Sequence, residues 1–281
     1  MKSQKSFLNN APTLYLVATP IGNLQEMTPR AIEILKEVDV IAAEDTRNTM
    51  GLLRHFDIST KLIAHHMHNE KQSSEGLIEM LSNGMNIALV SDAGYPLISD
   101  PGQVLVNRVI DAGFNVVTIN GPSAILAALC SSGIAAQPFT FVGFLSSNEK
   151  ECRKQLEKWK THEETLIFYE APHRIDKMLK NCLSVLGDRR MCLARELTKK
   201  YEEYLRGNIS EVLEVVKECK GEMVIIMEGY TPEEQPTLSM SDLMQIVDRY
   251  VEAGMSAKDA IKRTAQENGV SKNEVYRNYF N

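Results

Sequence analysis

The chain has 281 residues, 43% of them apolar and 24% charged, and a net charge of -6 at pH 7. That length suits two domains of ordinary size with a sizeable core, and that charge excludes a polybasic nucleic-acid binder, so any basic surface must be local. The five cysteines, Cys130, Cys152, Cys182, Cys192 and Cys219, form no CxxC pair, which argues against a zinc ribbon or a disulfide framework and suits a reducing compartment.

The N-terminal stretch "MKSQKSFLNNAPT" is polar and lacks the apolar centre of a signal peptide. No apolar run approaches the length of a membrane span, so a cytoplasmic protein without membrane contact is expected. The first strand is predicted in "TLYLVA" (13–18). "TPRAIEILKEV" (28–38) follows as a helix, with Ala31, Ile34, Leu35 and Val38 on one face, Thr28 as N-cap and Pro29 at the first helical position. "DVIAA" (39–43) and "NIALV" (86–90) read as strands. Between them "SSEGLIEMLSNG" (73–84) is a helix that stops at Gly84. "GQVLVNRVIDAG" (102–113) repeats that design up to Gly113, and "NVVTI" (115–119) is the next strand. After "GPSA" (121–124) the pattern restarts, with apolar runs at 139–143, 165–169, 191–195 and 222–227. Short β-branched runs alternating with helical periods predict an α/β fold of two α/β domains with mainly parallel sheets.

The first domain is predicted over 1–120 and the second over 121–230. Residues 231–281 form a linker in "YTPEEQPTLS" (230–239) and a helical tail. The end of that tail has the layout of a helix-turn-helix. Gly269 sits in its turn, Ser271 caps its last helix, and Val275 and Tyr276 point inward. A packing or dimerisation module and an RNA-contacting module are equally consistent with it.

Ligands of open α/β sheets sit beyond the carboxyl ends of the strands. There the predicted strand over 86–90 runs straight into "SDAGYPLISDPG" (91–102), a loop with two Asp, two Pro and two Gly. No two glycines are spaced two apart and no Gly precedes Lys, so neither GxGxxG nor a P-loop is present; GxSxG and HExxH are also missing. A loop rich in Gly and Pro brings backbone amides and carbonyls close to a ligand. It suits an adenine to hydrogen-bond and a cationic centre beside a carboxylate. A plain surface turn is the bland alternative.

The remaining strand ends carry "VATPIGNL" (17–24), "AAEDTRNT" (42–49), "HHMHNE" (65–70), "GPSA" (121–124), "GFL" (143–145), "FYEAPHR" (168–174), "ARELTK" (194–199) and "GEMVIIMEG" (221–229). Taken in order, these motifs resemble the tetrapyrrole-methylase fold family, a class III methyltransferase fold. Within it they resemble the methyltransferases that act on 16S rRNA of the small ribosomal subunit. The resemblance runs from residue 13 to about 229. It implies transfer of a methyl group from S-adenosyl-L-methionine to the 2′-hydroxyl of a cytidine in the decoding region, by a homodimer. It also implies that Pro20, Ala93, Gly94, Tyr95, Ile98, Ser123, Ala124, Tyr169, Leu197 and Met223 line the cofactor cleft. Two positions depart from the family pattern: Tyr95, where relatives commonly carry a smaller residue, and Ser146, where they usually have Pro before basic residues.

Methyl transfer from a sulfonium is an in-line displacement in which alignment does much of the work. A ribose hydroxyl is a poor nucleophile at neutral pH, so a general base helps. Asp100, in the cofactor loop, is the candidate base. A cap on a helix beginning near Pro101 is its alternative role. Arg47 of "EDTR", with Glu44 and Asp45, is either part of a structural ion-pair network or an RNA-phosphate contact, and with Asp100 it is the other candidate catalytic residue. Arg174, Arg195 and Lys199 are further candidate RNA contacts, with Lys200 more plausibly a solvated side chain. His65, His66 and His68 form a cluster that invites a metal, but contacts to backbone or substrate suit it better, and no metal is expected. Two other readings are an enzyme of this fold with a different acceptor and a non-catalytic RNA-binding factor.

Overall fold

A computed structural model describes residues 3–6, 8–66, 70–232 and 238–280. The chain forms two compact units, Met1–Tyr230 and Thr231–Asn281.

The larger unit opens with β1 (Thr13–Val17), α1 (Pro29–Glu37), β2 (Val40–Ala43), α2 (Thr46–His55) and β3 (Lys61–Ala64). It continues through α3 (Glu70–Ser82), β4 (Ile87–Val90), α4 (Gln103–Asp111) and β5 (Asn115–Ile119). The helix starts are set by side-chain chemistry. Thr28 Oγ1 accepts the Ala31 amide ahead of Pro29, and Asp45 accepts the Arg47 amide at the head of α2. The five strands form one parallel sheet in the order β3-β2-β4-β1-β5. β2 and β4 are buried along their whole length, as strands covered by helices on both faces must be. One face packs Leu35, Ile41, Leu53 and Val90; the other packs Leu14, Leu77, Leu89 and Leu105.

The chain then runs through α5 (Ala124–Ser131), β6 (Phe139–Phe144), α6 (Glu149–Glu157), β7 (Thr165–Glu170), α7 (Ile175–Leu186), β8 (Arg190–Arg195), β9 (Glu203–Asn208), α8 (Ile209–Val215) and β10 (Met223–Met227). These strands make a second sheet in the order β6-β7-β10-β8-β9. The predicted parallel pairing describes the first sheet throughout. In the second it holds for β6–β7 alone, and the other three pairs are antiparallel. The cause is a short link: seven residues join β8 to β9, too few for a parallel crossover, so the two strands pair as a hairpin. The core here centres on Phe168, Leu156, Leu179, Leu193 and Ile225.

The smaller unit holds α9 (Met240–Glu252), α10 (Ala257–Glu267) and α11 (Lys272–Phe280), closed around Val247, Ile261, Ala265 and Val275. Gly269 adopts a left-handed φ of 63° in the turn before α11. Val275 points inward as predicted, but Tyr276 does not: it is 48% exposed, because the next position along a helix turns about 100° away from a buried neighbour. Of the predicted linker, residues 233–237 lie outside the described residues.

Candidate active site

β4, β1 and β5 are adjacent in the first sheet, so the loops that leave their carboxyl ends meet. Hydrogen bonds sew these loops together. The Thr19 amide donates to the Gly94 carbonyl at 2.9 Å, and the Gly94 amide returns a bond to the Thr19 carbonyl at 3.0 Å. Gly94 has a φ of 76°, a conformation that favours glycine at this crossing point. The Gly121 amide donates to the Tyr95 hydroxyl at 3.1 Å. The large residue at 95 therefore ties the β4 loop to the β5 loop. Gly121 itself lies so close to the end of β1 that a Cβ there would be 2.9 Å from the Ala18 Cβ.

In the second sheet the antiparallel register puts Met223, at the start of β10, opposite Glu170 at the end of β7 and Arg195 at the end of β8. The β7 end, the β8 end and the β10 start thus share one edge. A cavity of about 340 Å³ lies between this edge and the sewn loops. That volume falls in the range of small-molecule sites.

Nine of the ten predicted cofactor residues line this cavity. Ala93, Gly94, Tyr95 and Ile98 come from the β4 loop and Ser123 and Ala124 from the head of α5; Tyr169, Leu197 and Met223 come from the second sheet. Ile21 lines it where Pro20 was predicted. Ser123 caps α5 by accepting the Leu126 amide. Its neighbour Ile125 and the exposed Phe144 also contribute to the wall.

Asp100 lines the cavity as well. It is not a helix cap: α4 begins at Gln103 behind Gly102, which takes a φ of 130° and provides no side-chain cap. Desolvation, with the charges of Glu44 and Asp92 behind it, pushes the Asp100 carboxyl up to about 6, against a weaker opposing hydrogen bond from Ser91. Desolvation likewise raises Glu44, with Asp92 adding to it. Burial, then Asp100, pushes the Tyr169 phenol up to about 12.

Glu170 was not predicted. Its side chain is buried. Oε1 accepts the Ala171 amide at 2.8 Å and lies 3.3 Å from Arg174 Nε, while Oε2 is buried and has no hydrogen-bond partner within the protein. A buried carboxylate oxygen left without a donor on the wall of a cavity fits a ligand that brings one. The signal was present in "FYEAPHR", where an acid stands at the carboxyl end of an otherwise apolar strand. The walls are mostly apolar, and the charged residues among them are carboxylates: Asp100, and Glu170 and Glu222, which pair with Arg174 and Lys199. They favour a ligand with an apolar body, hydrogen-bond donors and positive charge.

The four cations predicted to meet RNA lie off the cavity wall, each engaged by its own chain. Arg47, 88% exposed, forks onto Asp45 at 2.7 and 3.1 Å. Arg174 donates to the Leu145 carbonyl at 2.7 Å besides its pairing with Glu170. Arg195 pairs with Glu203. Lys199 bridges Glu196 at 3.0 Å and Glu222 at 3.2 Å. Ser146 donates its amide to Gln155 and accepts the Asn148 amide, closing a turn rather than presenting amides outward. His65 is buried with Nδ1 2.7 Å from the Ser73 hydroxyl, and His68 lies outside the described residues. Among the described residues no group of three His, Cys, Asp or Glu is arranged to hold a metal ion, and no helix is long and apolar enough to cross a membrane.

Comparison with known proteins places this architecture. Residues 13–213 match the family model described as Tetrapyrrole (Corrin/Porphyrin) Methylases. A Bacillus subtilis protein named Ribosomal RNA small subunit methyltransferase I is 48% identical over 272 residues, which is 95% of this chain and 93% of that protein. A protein of the same name from Synechocystis sp. is 44% identical over 94% of this chain and 95% of its own. Among solved structures, a diphthine synthase superposes with a TM-score of 0.60 at 11% identity, over 78% of this chain and 90% of its own. A cobalt precorrin-4 methyltransferase does so at 0.57 and 14%, over 77% and 94%. At such identities the likeness is one of fold.

Proposed function

Because the chain belongs to the tetrapyrrole (corrin/porphyrin) methylase family, we propose that it is an S-adenosyl-L-methionine-dependent methyltransferase that 2′-O-methylates a cytidine ribose in the decoding region of 16S rRNA. The rRNA substrate is supported by the near full-length identity to relatives bearing the small-subunit methyltransferase name. The 2′-hydroxyl and the decoding region rest on the motif resemblance. The observation that carries the catalytic reading is the convergence of the loop motifs of both sheets on one cavity, with Asp100 in its wall.

The cofactor supplies a methyl group on a sulfonium already activated for displacement. Tyr95, Ile98, Ala124, Tyr169, Leu197 and Met223 would form its apolar walls, and Glu170 Oε2 would accept one of its donors. The carboxylates around Asp100 favour positive charge in the site. Asp100 takes the proton of the ribose hydroxyl as that oxygen becomes a nucleophile. A carboxyl with a pKa near 6 is a stronger base than an ordinary aspartate and is still ionised at neutral pH. A substrate inside the small subunit implies a cytoplasmic enzyme. A second copy of the chain belongs to the same reading, and light scattering should give about twice 31.5 kDa.

The deciding experiment uses small subunits from cells lacking this protein. They are incubated with the purified protein and S-adenosyl-L-methionine, and new methyl groups are mapped by nuclease digestion and mass spectrometry. One methyl on the ribose of a decoding-region cytidine is the expected result. Intact cofactor binding without methylation of subunits or free rRNA would leave the fold standing and reassign the acceptor.

A further inference from the structure

Phe144 is the last residue of β6 and is 54% exposed, yet it lines the same cavity as Asp100 and Tyr169. A single exposed aromatic needs no explanation on an ordinary surface; its setting here is different. Its ring lies 5.5 Å from that of Tyr169, which in turn meets Phe141 edge-on at 5.0 Å, so an aromatic row fixes its orientation. The Asp100 segment is next to it: Ser99 Oγ sits 4.0 Å from where a Cβ on the neighbouring Gly143 would be. Ile98, 44% exposed, is a second apolar group on this wall.

We propose that the exposed face of Phe144 is the stacking platform for the base of the nucleotide whose ribose is methylated, and so a positioning residue for the reaction; this rests on the function proposed above. A ribose whose hydroxyl reaches Asp100 must carry its base within a few ångströms, and Phe144 is an exposed aromatic face on the wall of the same cavity. Phosphate is a poor handle in the same place, because Glu44 and Asp92 stand behind Asp100 and the predicted cations are already paired. Stacking needs no charge and accepts any base with a π-face. It requires that the target nucleotide leave its stack in the RNA, as it does for enzymes that work on single bases.

The test compares Phe144→Ala, Phe144→Leu and Phe144→Tyr with the parent protein. It reads kcat and KM for methylation of small subunits and, separately, the Kd for S-adenosyl-L-methionine by calorimetry. Loss of one base–aromatic stack predicts a fall in kcat/KM of about 5- to 150-fold for Ala, with Leu close to Ala, and Tyr within about twofold of the parent. Cofactor Kd should be unchanged in all three. A Leu variant as active as the parent would overturn the proposal, since apolar bulk would then suffice. Weakened cofactor binding in the Ala variant would overturn it too, by assigning the ring to the cofactor. If the parent protein methylates nothing on subunits, the function reading fails first and takes this inference with it.

Discussion

Asp100 carries opposite consequences for activity and stability. Its pKa of about 6, against an ordinary 3.8, means that the fold favours the neutral carboxyl. As a base it must be ionised, so kcat/KM should rise tenfold per pH unit below about 6 and level off above it. Asp100→Asn should lower kcat by ~10²–10⁴-fold; full turnover in that variant would remove Asp100 from the chemistry. Stability runs the other way. The penalty for the charged form is absent well below pH 3.8, where both folded and unfolded states are protonated; it grows as pH rises from about 3.8 to about 6 and is complete above that. Asn mimics the neutral form, so the variant should be more stable than the parent at pH 7.5, by ~1–3 kcal/mol at 1.36 per pKa unit, and no more stable at pH ~3, below the unfolded pKa. Thermal melts at the two pH values check this. A stabilising loss of function is the pattern expected where a site holds strain for its chemistry.

At the scale of elements, the sheet order does the assembling. The loops after β4, β1 and β5 meet only because those strands are neighbours, and Gly121 permits the closest approach. Gly121→Ala would set a methyl group 2.9 Å from the Ala18 Cβ and 3.2 Å from the Ala18 carbonyl oxygen, forcing the β5 loop away from β1. A cost of ~1–3 kcal/mol is expected from such overpacking. Cofactor Kd should rise by about tenfold or more, since the displaced loop leads directly into Ser123 and Ala124; calorimetry showing a parental Kd would contradict this. Much of this layer was legible in the sequence. Buried strands such as "IALV" and "VIIM" announce themselves as apolar runs, and Thr28–Pro29 marks a helix start. β9 went unread, and β3 was placed only by the motif that follows it. Both are edge strands, partly exposed along their length, and so lack a continuous apolar run. The antiparallel half of the second sheet was hidden for a related reason: strand direction depends on the length of the links, and the β8–β9 link has no turn signature such as Asn-Gly. In the site, residues inside recognisable motifs were found. Glu170 and Phe144 lie within "FYEAPHR" and "GFL", but their roles depend on which other strand ends lie opposite, and that is decided by topology.

For the whole molecule the question is how a chain of net charge -6 finds a polyanion. Each phosphate neutralised by Lys or Arg on a single strand contributes about -0.7 to the slope of log K against log salt. Arg47, Arg174, Arg195 and Lys199, if all were committed to phosphate, would give a slope of about -3. Each of them already has an internal carboxylate partner, so a phosphate must compete with Asp45, Glu170, Glu203 or the Glu196–Glu222 pair. Arg47 is the cheapest to divert, because its pair with Asp45 is exposed and screened by water. We therefore expect kcat/KM for small subunits to fall with salt at a slope between about -1 and -3, measured from 50 to 300 mM KCl at fixed Mg²⁺. Arg47→Gln should flatten that slope by about 0.7 and leave cofactor Kd unchanged. A slope steeper than about -6 would mean that many more cations than these four meet phosphate, and an Arg47→Gln slope equal to the parent's would leave Arg47 as an ion-pair partner of Asp45 and nothing more. A shallow slope would place most of the discrimination in shape and stacking at the cavity mouth, where the protein has an aromatic face and carboxylates rather than cations.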